Sequence, residues 1–236
     1  MVNGLIYILS TGCQWRAIPK DLAARTTIYN YFERWTWDGT LEHIHHALYI
    51  KYCEQASREA SPTAAVIDAQ SVKSAGKGGA HIDPHGYDAG KKLKGKKLKG
   101  KKRDALADTQ GQMPHAIDTS ADVQDRDGGA WLLGILFSLY PFLAKLYADS
   151  GYQGPEFRAS VRAVSESVAV EIVKRSDQVK GFVVLPKRWV VERTLAWLGW
   201  CRRLANDWEA LNRQARAFVT IASIRITVRR LCRSYA

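Results

Sequence analysis

A chain of 236 residues has room for one large domain or for an ordinary domain carrying a smaller appendage, and the second arrangement is expected. With 46% hydrophobic and 25% charged residues it is not a disordered chain, and its four scattered cysteines, Cys13, Cys53, Cys201 and Cys232, argue against a zinc site and a disulfide framework. The net charge of +12 suits a phosphate-bearing partner, but nine positive side chains and no negative one lie between Lys91 and Arg103, so the basicity is largely one local feature.

The first sixty residues read as helical. Apolar and aromatic positions recur at helical spacing through TTIYNYFERWTWDGTLEHIHHALYIKYCEQA, and Asp38-Gly39 breaks the pattern into two helices joined by a turn. That arrangement suits a helix-turn-helix reader of DNA or a plain helical hairpin, and the pattern leaves both open. The apolar run Leu5 to Leu9 has no basic flank before it and no clear cleavage site after it, so no signal peptide is expected. SPT at Ser61–Thr63 marks a boundary.

From Ala64 the sequence AAVIDAQSVK predicts a short buried strand that delivers Asp68 to its end. A Gly- and Lys-rich stretch follows in which GKKLK is repeated, a local duplication expected to form an extended, mobile hairpin or loop. ALADTQGQMPHAIDT offers short strands around a glycine turn. Asp125 or Asp127 is then placed to cap a helix running through Trp131 to Tyr140. The longest apolar stretch, Ala130 to Leu143, falls short of the ~20 residues a bilayer span needs and suits a buried helix. LAKLYADSGYQG predicts a strand ending at Asp149, PEFRASVRAVSES a helix opened by its proline, and VAVEIVK a further strand. Beyond Pro186 two helices are expected, RWVVERTLAWLGWCRRLAND and ALNRQARAFVTIASIRITVRRL, with a polar joint near Asp207. Strands followed by helices indicate an α/β fold.

Among the carboxylates, Asp68 and Asp149 each stand at a predicted strand end. They can serve as metal ligands or as ordinary solvated strand ends and turn caps. Glu192 lies in a helix of Trp, Leu, Val and Ala, where Arg188, Glu192, Gly199 and Arg203 share one face at 100° per residue. Here too two readings stand level: Glu192 as a metal ligand with the arginines on DNA phosphate, or an Arg188–Glu192 ion pair. ADVQDRDGG is not a calcium loop, because Val123 and Gly134 would fall at obligatory ligand positions. His45, His46, His81, His85 and His115 lack metal-type spacing. No serine-hydrolase or P-loop motif is present.

Taken in order, TGCQWRAIPKDL, IDAQSVK, GYDAGKK, ADVQDRDGG, ADSGYQG and WVVERTLAWLGWCRRLANDWE resemble bacterial insertion-sequence transposases of the DDE type, particularly the insertion-sequence-five-like group, over nearly the whole chain. The resemblance implies a ribonuclease H-like core over 61–236 with Asp68, Asp149 and Glu192 as the metal-binding catalytic triad. A helical DNA-binding segment over 1–60 precedes it. It further implies two Mg²⁺ (or Mn²⁺) ions, double-stranded DNA of transposon ends and target as partner, and a homo-oligomer in the DNA complex. No membrane association is expected, and the implied location is a bacterial cytoplasm, on the nucleoid when DNA is bound. The implied reaction is hydrolysis at the transposon end followed by attack of the freed 3′-hydroxyl on target DNA.

DNA contacts are expected from the basic run, Lys91, Lys92, Lys94, Lys96, Lys97, Lys99, Lys101, Lys102 and Arg103, and from Arg188 with Arg202 or Arg203. The sequence departs from the family signature Tyr-x2-Arg-x3-Glu-x6-Lys at Leu185 and Gly199. Its first block also lies nearer the start than in relatives, so weakened end recognition is expected, and its basic loop is longer, which either strengthens nonspecific DNA binding or is a neutral duplication. The competing readings are a simple metal-dependent nuclease and a catalytically silent DNA-binding protein.

Overall fold

The computed structural model describes residues 1–75, 81–136, 139–174 and 187–233. Leu185, and Phe137–Ser138 in the predicted helix after Asp125, lie outside them. At the centre is a six-stranded mixed sheet. Strand β1 (Ala64–Lys73) is the β-rich run read from the sequence, and β3 (Lys96–Asp108) pairs with it antiparallel from Ala65↔Asp108 to Lys73↔Gly100. The other edge of β3 is shared: β2 (Gly86–Leu93) takes its first part and β4 (His115–Ser120) its second, both antiparallel. On the far side of β1 lie β5 (Lys145–Ala148) and then β6 (Ala169–Ile172), both parallel.

The two-residue period of a strand decides which side chains meet which layer. Val66, Ala105, Ala107 and Tyr147 point into one core, filled by α1 (Val2–Thr11), α2 (Arg25–Trp37), α6 (Arg188–Gly199) and α7 (Asn212–Arg233). Their neighbours Ala65, Ile67, Leu106, Leu146 and Ala148 point into the other, with α4 (Asp125–Leu136) and α5 (Pro155–Val164). Every strand at the centre is therefore covered on both faces, which is why AAVI is a continuous apolar run instead of an alternating one.

The predicted break at Asp38-Gly39 is the junction between α2 and α3 (Thr40–Gln55). Gly39 sits at φ 77°, and the Asp38 carboxylate accepts from the Thr40 N–H (3.0 Å) and hydroxyl (2.6 Å), satisfying a free donor of the new helix. These first helices do not stand apart. Phe32 stacks on Phe218 of α7 with ring centroids 4.8 Å apart, and Trp15 packs against Phe32 and Phe218. Contacts of this kind are worth about 0.5–1.5 kcal/mol beyond the area they bury.

Two expectations are corrected. The helix around Glu192 stops at Gly199, not near Asp207; after buried Cys201, in extended conformation, the chain makes a short 3-10 turn at Arg202–Leu204. Arg203 therefore leaves the Glu192 face. Its guanidinium turns inward to Glu209 (2.7 Å) and the Cys13 carbonyl (3.2 Å). At the start of α4, Asp125 and Asp127 both fall inside the first turn and not at the residue before it, and the Asp125 carboxylate pairs with Lys102 at 2.6 Å.

The duplicated GKKLK segment is a β-hairpin. Lys94 and Gly95 form its turn with φ of 49° and 78°, both positive as a type I′ turn requires, so one repeat unit becomes an arm of β2 and the next the start of β3. All four cysteines are free thiols. Among the described residues no helix is long and apolar enough to cross a membrane.

Candidate active site

Parallel pairing places the first two predicted carboxylates. Val66 of β1 is opposite Tyr147 of β5, so two residues further along Asp68 and Asp149 lie beside one another. Strand β5 ends at Ala148, just before Asp149, whereas β1 runs on to Lys73, so Asp68 sits in mid-strand and not at the strand end expected. The early end of β5 leaves a crevice beside β1, the kind of place where open α/β sheets bind ligands. Asp68 is held by the N–H of Ala69 (2.9 Å), and Asp149 by the N–H of Gly151 (2.8 Å), the start of a 3-10 turn that turns the chain sharply away. Asp68 has the parity of Val66 and faces the side on which α6 packs.

From that helix come Arg188 and Glu192, one turn apart. Arg188 Nη2 lies 3.0 Å from Glu192 Oε1 and 3.7 Å from Asp149 Oδ2, so one nitrogen bridges carboxylates from two elements. The pair that the sequence offered as an alternative to metal binding is thus present, and it includes Asp149 as well. Burial pushes the Asp68 carboxyl up to about 6; the Asp149 and Glu192 charges add to this, against the Ala69 N–H and Arg188. Among the described residues no three acidic, histidine or cysteine side chains stand close enough, as they are, to hold a metal ion.

The carboxylates open onto a cleft of about 580 Å³ whose walls include Asp68, Asp149, Arg188, Asp88, Asp122 and Asp125, with Lys91 and Lys102. Sequence reading missed the last three aspartates. Asp88 is buried, accepts from the N–H groups of Gly90 and Lys91 (2.8 Å each) and from the Ser71 hydroxyl, and is held below the usual carboxylate range by these bonds against its burial. ADVQDRDGG supplies Asp122 and Asp125 and GYDAGKK supplies Asp88, so their place in these two blocks was the available signal.

Behind the cleft, on the α4 face of the sheet, lies a group that no motif announced. Asp104 is fully buried and neither carboxylate oxygen has a hydrogen-bond partner; burial, with Asp125 next, pushes it up to about 8, against Lys102. The Tyr152 hydroxyl is likewise buried and unpartnered, and burial together with Asp104, Asp68, Asp125 and Asp149 raises it.

The structure divides the predicted DNA contacts. Lys91, Lys92, Lys94, Lys96, Lys97 and Lys99 are exposed along the hairpin. Lys101, Lys102 and Arg103 are not available at the surface: they are buried and paired with Asp207 (3.5 Å), Asp125 (2.6 Å) and Asp118 (3.2 Å). Of the two arginines left open by the signature, Arg203 is buried, while Arg202 is exposed beside Gly12.

Residues 59–226 match the family model described as "Transposase DDE domain", and residues 1–45 match "Putative transposase of IS4/5 family (DUF4096)". The chain belongs to the DDE transposase family. Its mixed sheet flanked by helices is the family's ribonuclease H-like fold. Comparison with curated proteins and with solved structures found no match. Within this transposase the two matched regions meet in one core, where α1 and α2 pack on α7 and α6.

Proposed function

We propose that this transposase cuts DNA at the ends of its element and joins the freed 3′-hydroxyl to target DNA, with Asp68, Asp149 and Glu192 as catalytic residues holding two Mg²⁺ or Mn²⁺ ions. The observation that carries this reading is the convergence of Asp68, within β1, and Asp149, just past the end of the adjacent parallel strand β5, with Arg188 tying Asp149 to Glu192. The donor set is three carboxylates, the hard oxygen ligands that such ions take, and the place between two of them already accommodates a cationic group. Bound there, divalent ions supply activation of the attacking oxygen and stabilisation of the leaving one.

The chain's own residues do the rest. The exposed hairpin lysines neutralise phosphates and orient duplex DNA over the cleft, an attraction that carries no sequence information. Residues 1–60 serve as the DNA-binding segment and 61–236 as the catalytic domain, acting as a homo-oligomer on paired ends in a bacterial cytoplasm. The test is nicking and strand transfer on DNA carrying the element's ends with Mg²⁺, comparing the native chain with Asp68→Ala, Asp149→Ala and Glu192→Ala. Joined products from the native chain alone are expected. Full activity in Asp149→Ala would refute the triad; nicks without joining would indicate a simple nuclease; salt-sensitive binding without any cutting would indicate a silent DNA-binding protein.

A further inference from the structure

Arg188 stands where its position on the catalytic helix alone would not put it. An arginine four residues before a glutamate pairs with it routinely, for a few tenths of a kcal/mol when exposed. Here the side chain is mostly buried, at 18% exposure, and the nitrogen that meets Glu192 also faces Asp149 at the end of β5. The Nε of the same guanidinium is buried and has no hydrogen-bond partner. One cation therefore spans two of the three carboxylates and retains a donor the protein does not use.

We propose that Arg188 is a placeholder for the metal: it holds Asp149 and Glu192 together before an ion enters, is displaced when the ion binds, and is thereby released to a DNA phosphate oxygen. The inference rests on the metal-binding reading of this site. A divalent ion sits about 2.0–2.6 Å from its carboxylate oxygens. A guanidinium nitrogen 3.0 Å from Glu192 competes for the same lone pairs, and the two positive charges repel. Once displaced, the planar fork of an arginine suits phosphate geometry. Metal loading and DNA binding then strengthen each other, and by linkage each does so by the same factor.

A purely structural ion pair makes the opposite prediction. If Arg188 only preorganises the carboxylates, removing it weakens metal binding; if it occupies the ion's place, removing it strengthens metal binding. The experiment is calorimetric titration of Mn²⁺ into the full chain without DNA, for the native protein, Arg188→Gln, Arg188→Lys and Asp149→Ala. Arg188→Gln is expected to bind Mn²⁺ about tenfold more tightly, which is about 1.4 kcal/mol. Arg188→Lys, a point charge without the bridging fork, is expected to gain a smaller factor. Should Arg188→Gln lose its native circular dichroism, Arg188→Lys decides on its own.

In parallel, the affinity for a fluorescent duplex lacking the element's ends is measured with and without Mg²⁺. Mg²⁺ is expected to tighten binding about fivefold or more in the native chain and to have no such effect in Arg188→Gln. Unchanged or weaker Mn²⁺ binding in folded Arg188→Gln and Arg188→Lys, with Asp149→Ala not binding, overturns the placeholder while leaving the metal site standing. Identical Mn²⁺ heats in the native chain and Asp149→Ala overturn the metal reading and the placeholder together.

Discussion

The basic run from Lys91 to Arg103 is continuous in sequence and divided in space. Its outer half, Lys91 to Lys99, lines a hairpin that projects into solvent, while its inner half, Lys101 to Arg103, lies inside the fold with each cation matched to an aspartate. The difference comes from β3, which leaves the hairpin at Gly100 and passes between β1 and β4. At that crossing the carbonyl of Val72 lies 1.9 Å from where a Gly100 Cβ would be, so only glycine fits. Identical residue types thus do opposite jobs: outside, lysines supply long-range attraction that salt screens; inside, they fill space and neutralise carboxylates, two of which, Asp118 and Asp207, would otherwise be buried alone.

The sharpest way to break this contrast is Arg103→Ala. It leaves Asp118 buried without its partner, and a loss of about 3–5 kcal/mol is expected in urea unfolding. Replacing both, as Arg103→Met with Asp118→Leu, should recover most of that loss, because the raised Asp118 carboxyl shows that burial outweighs the pairing. A double variant no better than the single one would mean that packing, not charge, is what Arg103 provides.

A smaller effect is expected one residue on. Asp104 is raised from 3.8 to about 8, so the native state keeps a proton that the unfolded chain gives up. Its stability contribution is intact below about pH 4 and is lost as pH rises toward 8. Asp104→Asn, which imitates the protonated form, should match the native chain at pH 4 and exceed it at pH 8, by an amount on the order of a few kcal/mol. Parallel stability curves for the two proteins across that range would contradict this assignment.

Gly128→Ala comes next. The new Cβ would lie 2.4 Å from Asp104 Oδ2, and the first turn of α4 has to shift, at a cost of about 1–3 kcal/mol in thermal or urea unfolding. The least effect on stability, within about 0.5 kcal/mol, is expected from Lys97→Gln in the hairpin. Its signature lies elsewhere: the slope of log affinity for duplex DNA against log salt should fall by about 0.9. If the slope is unchanged while Lys102→Gln lowers it, the division between outer and inner cations is wrong.

Much of the fold could be read locally. The buried run AAVID, the proline opening α5, the Asp38-Gly39 break and the strand before Asp149 each carry their own backbone preference, and each forms the element it announces. Reading failed where an element's end depends on distant partners. The Glu192 helix stops at Gly199 because buried Cys201 and the inward Arg203 bind the next turn to Glu209 and the N-terminal segment, none of which helical periodicity can reveal. Of the hairpin or loop expected for the basic repeat the structure has the hairpin, but the strand runs on through Arg103 to Asp108, because pairing with β1 and β4 overrides the low strand propensity of lysine.

The sequence by itself determined the order of elements, the membership of the DDE family through its matched regions, and the three carboxylates singled out for the site. Those properties reside in residue type, spacing and local propensity, which survive without coordinates. Tertiary structure alone decided that Arg188 bridges Asp149 and Glu192, that Asp104 and Tyr152 are sealed behind the cleft without partners, and which cations of the basic run remain at the surface. Desolvation and charge pairing act between residues dozens of positions apart, so they come into existence only when the sheet brings those residues together.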